Sequence, residues 1–176
     1  MQRVLYARAA TASLLTVIAV TGCSMSTPSR SPTVASTPSE DEILAEAVDV
    51  YARYSAGLDA VLAEGNGDFS SLSAVATPPF IETLADGDVF TAKRWRTTGS
   101  TSFDSARLVS AGDDETVVQL CRDVSRVRIV DAAGADVTPP DREGRFPVVV
   151  TFQGDNGDET LKIKDSQSAP EEALCD

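Results

Sequence analysis

The chain contains no histidine. Without an imidazole there is no Ser-His-Asp or Cys-His nucleophile arrangement and no histidine-based zinc site. Cysteine is nearly as scarce: Cys23, Cys121 and Cys175 are too few for a site built of thiolates alone. Basic residues are outnumbered, with 15 Lys and Arg against 27 Asp and Glu and a formal net charge of −12. Phosphate backbones and anionic headgroups repel such a surface, which argues against nucleic acid as a partner. Phosphate-loop spacing is missing too, since Gly65-Asn66-Gly67 reads as the stop of a helix. A long apolar run is the last absence. The N-terminal segment Ala9 to Val20 would cover roughly 18 Å as a helix, against a hydrocarbon core about 30 Å thick, so it cannot remain as a membrane span.

What that segment does offer is a secretory pattern. Arg3 and Arg8 form a positive start without acids, the apolar stretch follows, and Val20-Thr21-Gly22-Cys23 closes it. These four residues resemble the lipobox of bacterial lipoproteins. The resemblance implies that residues 1–22 are a signal peptide. It also implies that the Cys23 sulfur carries a diacylglycerol, that the new amino group is acylated by a chain such as palmitate, and that the protein sits on the extracytoplasmic face of the cell membrane. Two or more acyl chains give a lasting anchor. The alternative is an ordinary signal peptide cut nearby, with Cys23 incidental. From Ser24 to Ser39 the chain is dominated by Ser, Thr and Pro. It reads as a disordered tether that completes the segment 23–39 and reaches up to roughly 50 Å. With Cys23 assigned to lipid, Cys121 and Cys175 remain as a pair in an oxidising compartment, and a disulfide is the default reading over two free thiols.

Residues 40–176 suit one domain with a single core. Ser39-Glu40-Asp41-Glu42 has the form of a capping box. Leu44, Ala47, Val48, Tyr51, Tyr54, Leu58, Val61 and Leu62 then recur at helical spacing. A short second helix through Leu72, Val75 and Ala76 is expected to end at Thr77, where Thr77-Pro78-Pro79 opens a third. Residues 88–98 suit either a continuation of helix or an edge strand. Beyond Gly99 the pattern turns to strands: 102–111, 116–123, a continuation through 125–131 past a bulge near Asp123, 146–153, and 159–164 after the turn at Gly154 to Asp158. Helices first and antiparallel strands after imply an α+β domain, its N-terminal helices packed on a curved sheet. Helix, helix, helix, sheet, with Cys121-Arg122-Asp123 in a central strand, Val130-Asp131-x-x-Gly134 after it and a C-terminal cysteine, resembles the small NTF2-like lipoproteins. That resemblance implies a cone between sheet and first helix. The chain departs from the pattern in the last strand, where Leu161-Lys162-Ile163-Lys164 stands in place of a tryptophan.

Three constellations could carry chemistry. Enzymes of the NTF2-like fold use a pocket carboxylate as general base beside Tyr or a second acid, which would assign Asp123, Tyr51 and Tyr54 to a pocket. The plainer reading makes the tyrosines aromatics at the rim of the core and Asp123 a partner for backbone donors or for Arg122 or Arg126. Arg94, Trp95 and Arg96, preceded by Lys93, and the Arg-rich segment Arg122 to Arg128 could bind an anionic ligand or cell-wall polymer, with Trp95 stacking, or simply pair with nearby acids. Asp155 to Glu159 has the oxygen-rich composition of a calcium loop but lacks the length and distal Glu of an EF-hand, and reads as a hairpin turn. The expectation is therefore a non-enzymatic envelope lipoprotein with no metal or cofactor, binding a small ligand or docking another envelope protein. An NTF2-like enzyme and a prophage-type protein that blocks infection are the alternatives.

Overall fold

The computed structural model describes residues 38–155, 158–169 and 175. The expected signal peptide, Cys23 and nearly all of the tether lie outside the described residues, as does the centre of the Asp155–Glu159 turn. Helix α1 (Glu40–Glu64) begins as its sequence requires. The Ser39 hydroxyl accepts from the Glu42 N–H at 3.3 Å, and the Glu42 carboxylate accepts the Ser39 N–H at 2.8 Å, so two otherwise orphaned donors are satisfied. Ala47, Val50, Tyr51, Tyr54, Leu58 and Val61 form its buried stripe. Gly65 ends it in the left-handed region at φ 63°, with its N–H on the Val61 carbonyl. No helix among the described residues is long and apolar enough to cross a membrane.

A 3₁₀ turn (Phe69–Ala74) follows, shorter than the helix expected through Ala76. The reason is a competing partner. Ala76 pairs in parallel with Ile163 of the last strand, Ile163 donates to Val75, and Thr77 donates to Ile163, both at 2.9 Å. Helix α2 (Pro78–Asp86) starts at the two prolines, and helix α3 (Val89–Lys93) is one turn capped by Asp88. Residues 88–98 are thus neither all helix nor all strand. The chain reverses through Arg94 at φ 55° and enters β1 (Arg96–Thr98).

The remaining strands are β2 (Ser102–Ala111), β3 (Glu115–Asp123), β4 (Arg128–Val130), β5 (Arg145–Asp155) and β6 (Asp158–Ser168). Four of them make an antiparallel sheet in the order β2-β3-β5-β6, while β1 and β4 pair as a separate two-stranded ribbon. The fold is α+β, helices followed by a curved antiparallel sheet, the class the sequence implies. Two local expectations change. The irregularity is not at Asp123 but in β2, between Asp104 and Arg107, where Ser105 has φ 54°, and again between Leu108 and Ser110. After Asp123 the chain leaves the sheet to form β4 rather than bulging and continuing. Gly99 makes this departure feasible: a Cβ there would lie 2.1 Å from the Arg126 carbonyl oxygen, and its φ is +87°.

The core sits between α1 and one face of the sheet. Along β3, Val118 and Leu120 point to it, and their partners Val150 and Val148 on β5 do the same. Phe152 and Ile163, paired across β5 and β6, are fully buried. Cys121 points to the other face and is joined to Cys175, with Cα atoms 5.3 Å apart.

Candidate cavity at the ribbon end of the sheet

Strand alternation decides what each residue of β3 can do. Arg122 has the parity of Val118 and Leu120, so its side chain belongs to the inner face; Asp123 has the parity of Cys121 and belongs to the outer one. Arg122 stands opposite Phe103 on β2 and Phe146 on β5. Phe103 meets the ring of Tyr51 edge-on at 4.8 Å, and Tyr54 lies beside both Tyr51 and Phe80 at 5.9 Å. Both tyrosines are almost wholly buried. Burial pushes the Tyr51 phenol up and the Tyr54 phenol up to about 12, and the Arg122 charge opposes the rise in each. One guanidinium and two protonated phenols therefore share a neighbourhood.

A cavity of about 340 Å³ opens beside Arg122. Its apolar wall comes from Leu62 of α1, Phe90 of α3, Phe146 of β5 and the Val124, Val127 and Ile129 side chains leading into and along β4. Its polar lining consists of Asp59, Thr97, Thr101, Arg122, Arg142 and Glu143. Most of these are already engaged. Asp59 accepts from the Thr101 N–H and hydroxyl, each at 2.7 Å, which ties α1 to the loop before β2. Arg142 donates through Nη2 to the carbonyls of Val124 and Val127 at 2.8 and 2.7 Å and so braces the loop that lifts the ribbon off the sheet. Arg122 is different. Its Nε is buried with no hydrogen-bond partner.

Asp123 does not join Tyr51 and Tyr54 in a pocket, and this corrects the grouping of the three. It accepts from the Ser125 N–H at 2.8 Å and lies 3.9 Å from Arg145. The hydrogen bonding of Ser125, and then the Arg145 and Arg126 charges, hold its carboxyl below the usual range, opposite to the raised value a general base needs. Asp123 belongs to an outer-face cluster. There Arg145 grips Asp104 with both Nη atoms at 2.8 and 2.7 Å and donates through Nε to the Cys175 carbonyl at 3.1 Å.

Arg94, Trp95 and Arg96 are also separated by local structure. Arg94 is exposed at the left-handed end of α3. Trp95 meets Phe90 edge-on, and Lys93 lies over its ring at 4.1 Å, so neighbours of its own chain already contact that ring. Arg96 runs its stem against Gly65. Among the described residues no group of three or more acids or cysteines is placed to hold a metal ion.

No family model matches the chain, and no curated sequence does. Solved structures of similar shape exist. One is Aln2 from a Streptomyces species, 18% identical with a TM-score of 0.48, covering 76% of this chain and 93% of its own. Another is a putative Ca/calmodulin-dependent kinase II association domain from Exiguobacterium sibiricum, 16% identical with a TM-score of 0.47, covering 78% and 98%. Kfla4162 from Kribbella flavida is 12% identical with a TM-score of 0.38 over 74% and 93%. At such identities the likeness does not extend to residues, and the site stands on this chain's own geometry.

Sequence reasoning misses Asp59 and Arg142, and it has Arg122 only as one arginine of the segment Arg122 to Arg128 and a partner for Asp123, not as an inward-facing residue. For Arg122 a signal existed: its spacing from Val118 and Leu120. It was masked because Val117 and Cys121, on the opposite parity, are apolar too, so the run Val117 to Cys121 shows no clean alternation. Asp59 and Arg142 act through contacts far apart in the chain, which no local pattern encodes.

Proposed function

We propose that this protein is a lipid-anchored, extracytoplasmic binding module whose NTF2-like cone holds a small ligand without transforming it. The observation that carries the reading is the cavity beside Arg122, with an apolar side and a polar side, in the size range of ligand sites. The non-catalytic side of the proposal is supported by Asp123, the carboxylate that an NTF2-like enzyme would use, which faces outward and stays ionised. Binding a small molecule is favoured over docking a protein because, among the described residues, the exposed large apolar side chains are Val89 and Val109, on two different elements. The anchor is proposed from Val20-Thr21-Gly22-Cys23.

Native mass spectrometry of the full-length product isolated from its own envelope, before and after mild denaturation, tests the binding role. A small molecule released on denaturation is the expected result. A bare chain, or a second protein that leaves in place of a small molecule, contradicts it. Cys23→Ala is expected to move the protein from the membrane fraction to the soluble one, and retention in the membrane contradicts the anchor.

A further inference from the structure

We propose that the occupant of this cavity is a singly charged organic acid, a carboxylate on a compact apolar body, held by the guanidinium of Arg122. The inference rests on the binding reading above and names its ligand class. Three observations lead to it.

The first is the orphaned donor. Arg122 Nε is buried without a partner, and among the described residues Arg122 makes no ion pair. A buried donor left empty on a partly buried guanidinium is costly unless an acceptor arrives, and the acceptor that fits a guanidinium fork is a carboxylate. The second is the state of the neighbouring charges. Both Asp59 oxygens are taken by Thr101, Glu143 is exposed, and Arg142 is spent on two backbone carbonyls. Tyr51 and Tyr54, within electrostatic reach of Arg122, keep their protons and bring no negative charge. The lining thus sets two acids, Asp59 and Glu143, beside two arginines, Arg122 and Arg142, and this balance disfavours a doubly charged anion such as a phosphate dianion. The third is the shape of the remainder. Phe103 and Phe146 stand opposite Arg122 on the neighbouring strands, and Phe146, Phe90, Leu62, Val124, Val127 and Ile129 make an apolar side to the cavity, so the body attached to the carboxylate is apolar. A volume of about 340 Å³ suits a single ring or short chain better than a long acyl tail.

The probe is benzoate, with benzamide as its uncharged counterpart of equal shape, titrated into the full chain by calorimetry. Benzoate is expected to bind at least about tenfold more tightly than benzamide. In Arg122→Gln the gap should shrink below about twofold, chiefly through loss of benzoate affinity. A second variant, Val127→Phe, leaves Arg122 intact and fills the wall; it should weaken both probes together. Equal affinity for the two probes, insensitive to Arg122→Gln but sensitive to Val127→Phe, would overturn the anionic class while the cavity remains a binding site. Failure of both probes to bind, with the chain released bare from its envelope, would overturn the binding reading as well.

Discussion

The two ends of the space between α1 and the sheet are built from the same strands and differ in what the strands bring. At one end Phe152 and Ile163 pair across β5 and β6, Ala76 is held beside Ile163 by the main-chain hydrogen bonds of its neighbours Val75 and Thr77, and Phe152, Ile163 and Ala76 are fully buried. At the other end β5 contributes Phe146 and β3 contributes Arg122, both only partly buried, and the ribbon of β1 and β4 stands away from the sheet over a cavity of about 340 Å³. The filled end has the close packing of a protein interior, which tolerates no loss of volume. The hollow end has a buried cationic donor with no partner, an arrangement that lowers stability unless something binds. The difference separates a stability region from a functional one within a single layer.

The largest expected effect lies at the filled end. Phe152→Ala should lower unfolding free energy by about 3 to 5 kcal/mol, the range for a fully buried phenylalanine, whereas Phe146→Ala should cost about 1 kcal/mol because it enlarges a space already there. Urea unfolding of the two variants compares them directly, and equal losses would remove the distinction. Next comes the outer face. Reducing the Cys121–Cys175 bond, whose cysteines are 54 residues apart, should cost roughly 2 to 4 kcal/mol. Benzoate affinity should stay within about twofold, since Cys121 faces away from the cavity; urea midpoints and titrations with and without reductant check both parts.

The pH dependence of Tyr54 sharpens the comparison next. Its phenol is raised to about 12 by burial, against an ordinary value near 10 in the unfolded chain. Between those values the unfolded state has already lost its proton while the folded state keeps it, so stability falls as pH rises, by about 2 to 3 kcal/mol in all. Ultraviolet titration of tyrosinate, run beside unfolding curves at each pH, should place this ionisation well above that of free tyrosine; an ordinary value would mean that the packing around Tyr54 is loose. The smallest effect has the opposite sign. Arg122→Met should leave the empty protein as stable as the parent or about 1 kcal/mol more stable, because an unsatisfied buried donor is replaced by an apolar side chain of similar length. A loss of more than about 1 kcal/mol in thermal unfolding would mean that Arg122 serves the fold rather than a ligand.

Much of the filled end is legible in the residues themselves. Ser39 and Glu42 announce the start of α1, Gly65 its end, and the apolar spacing its buried face, since each acts through neighbours within one turn. The prolines after Thr77 mark α2 for the same reason. The hollow end is less legible because its determinants are non-local. The ribbon depends on β1 finding β4 across Gly99, and residues 125–131 have enough strand character to suggest that β3 simply continues. In the sequence Asp123 stands out as the acidic member of Cys121-Arg122-Asp123, yet parity turns it outward to Ser125 and Arg145 and turns Arg122 inward. The apolar stretch of β3 hides that parity, because one of its faces is buried by the core and the other holds Cys121, itself fully buried and joined to Cys175.

The most direct test is methyl-resolved nuclear magnetic resonance of the full chain during titration with benzoate. Filling of the hollow end predicts shifts at the methyls of Leu62, Val124, Val127 and Ile129, with those of Val150 and Ile163 unmoved. Shifts confined to the outer face, or spread equally over both ends, would contradict it.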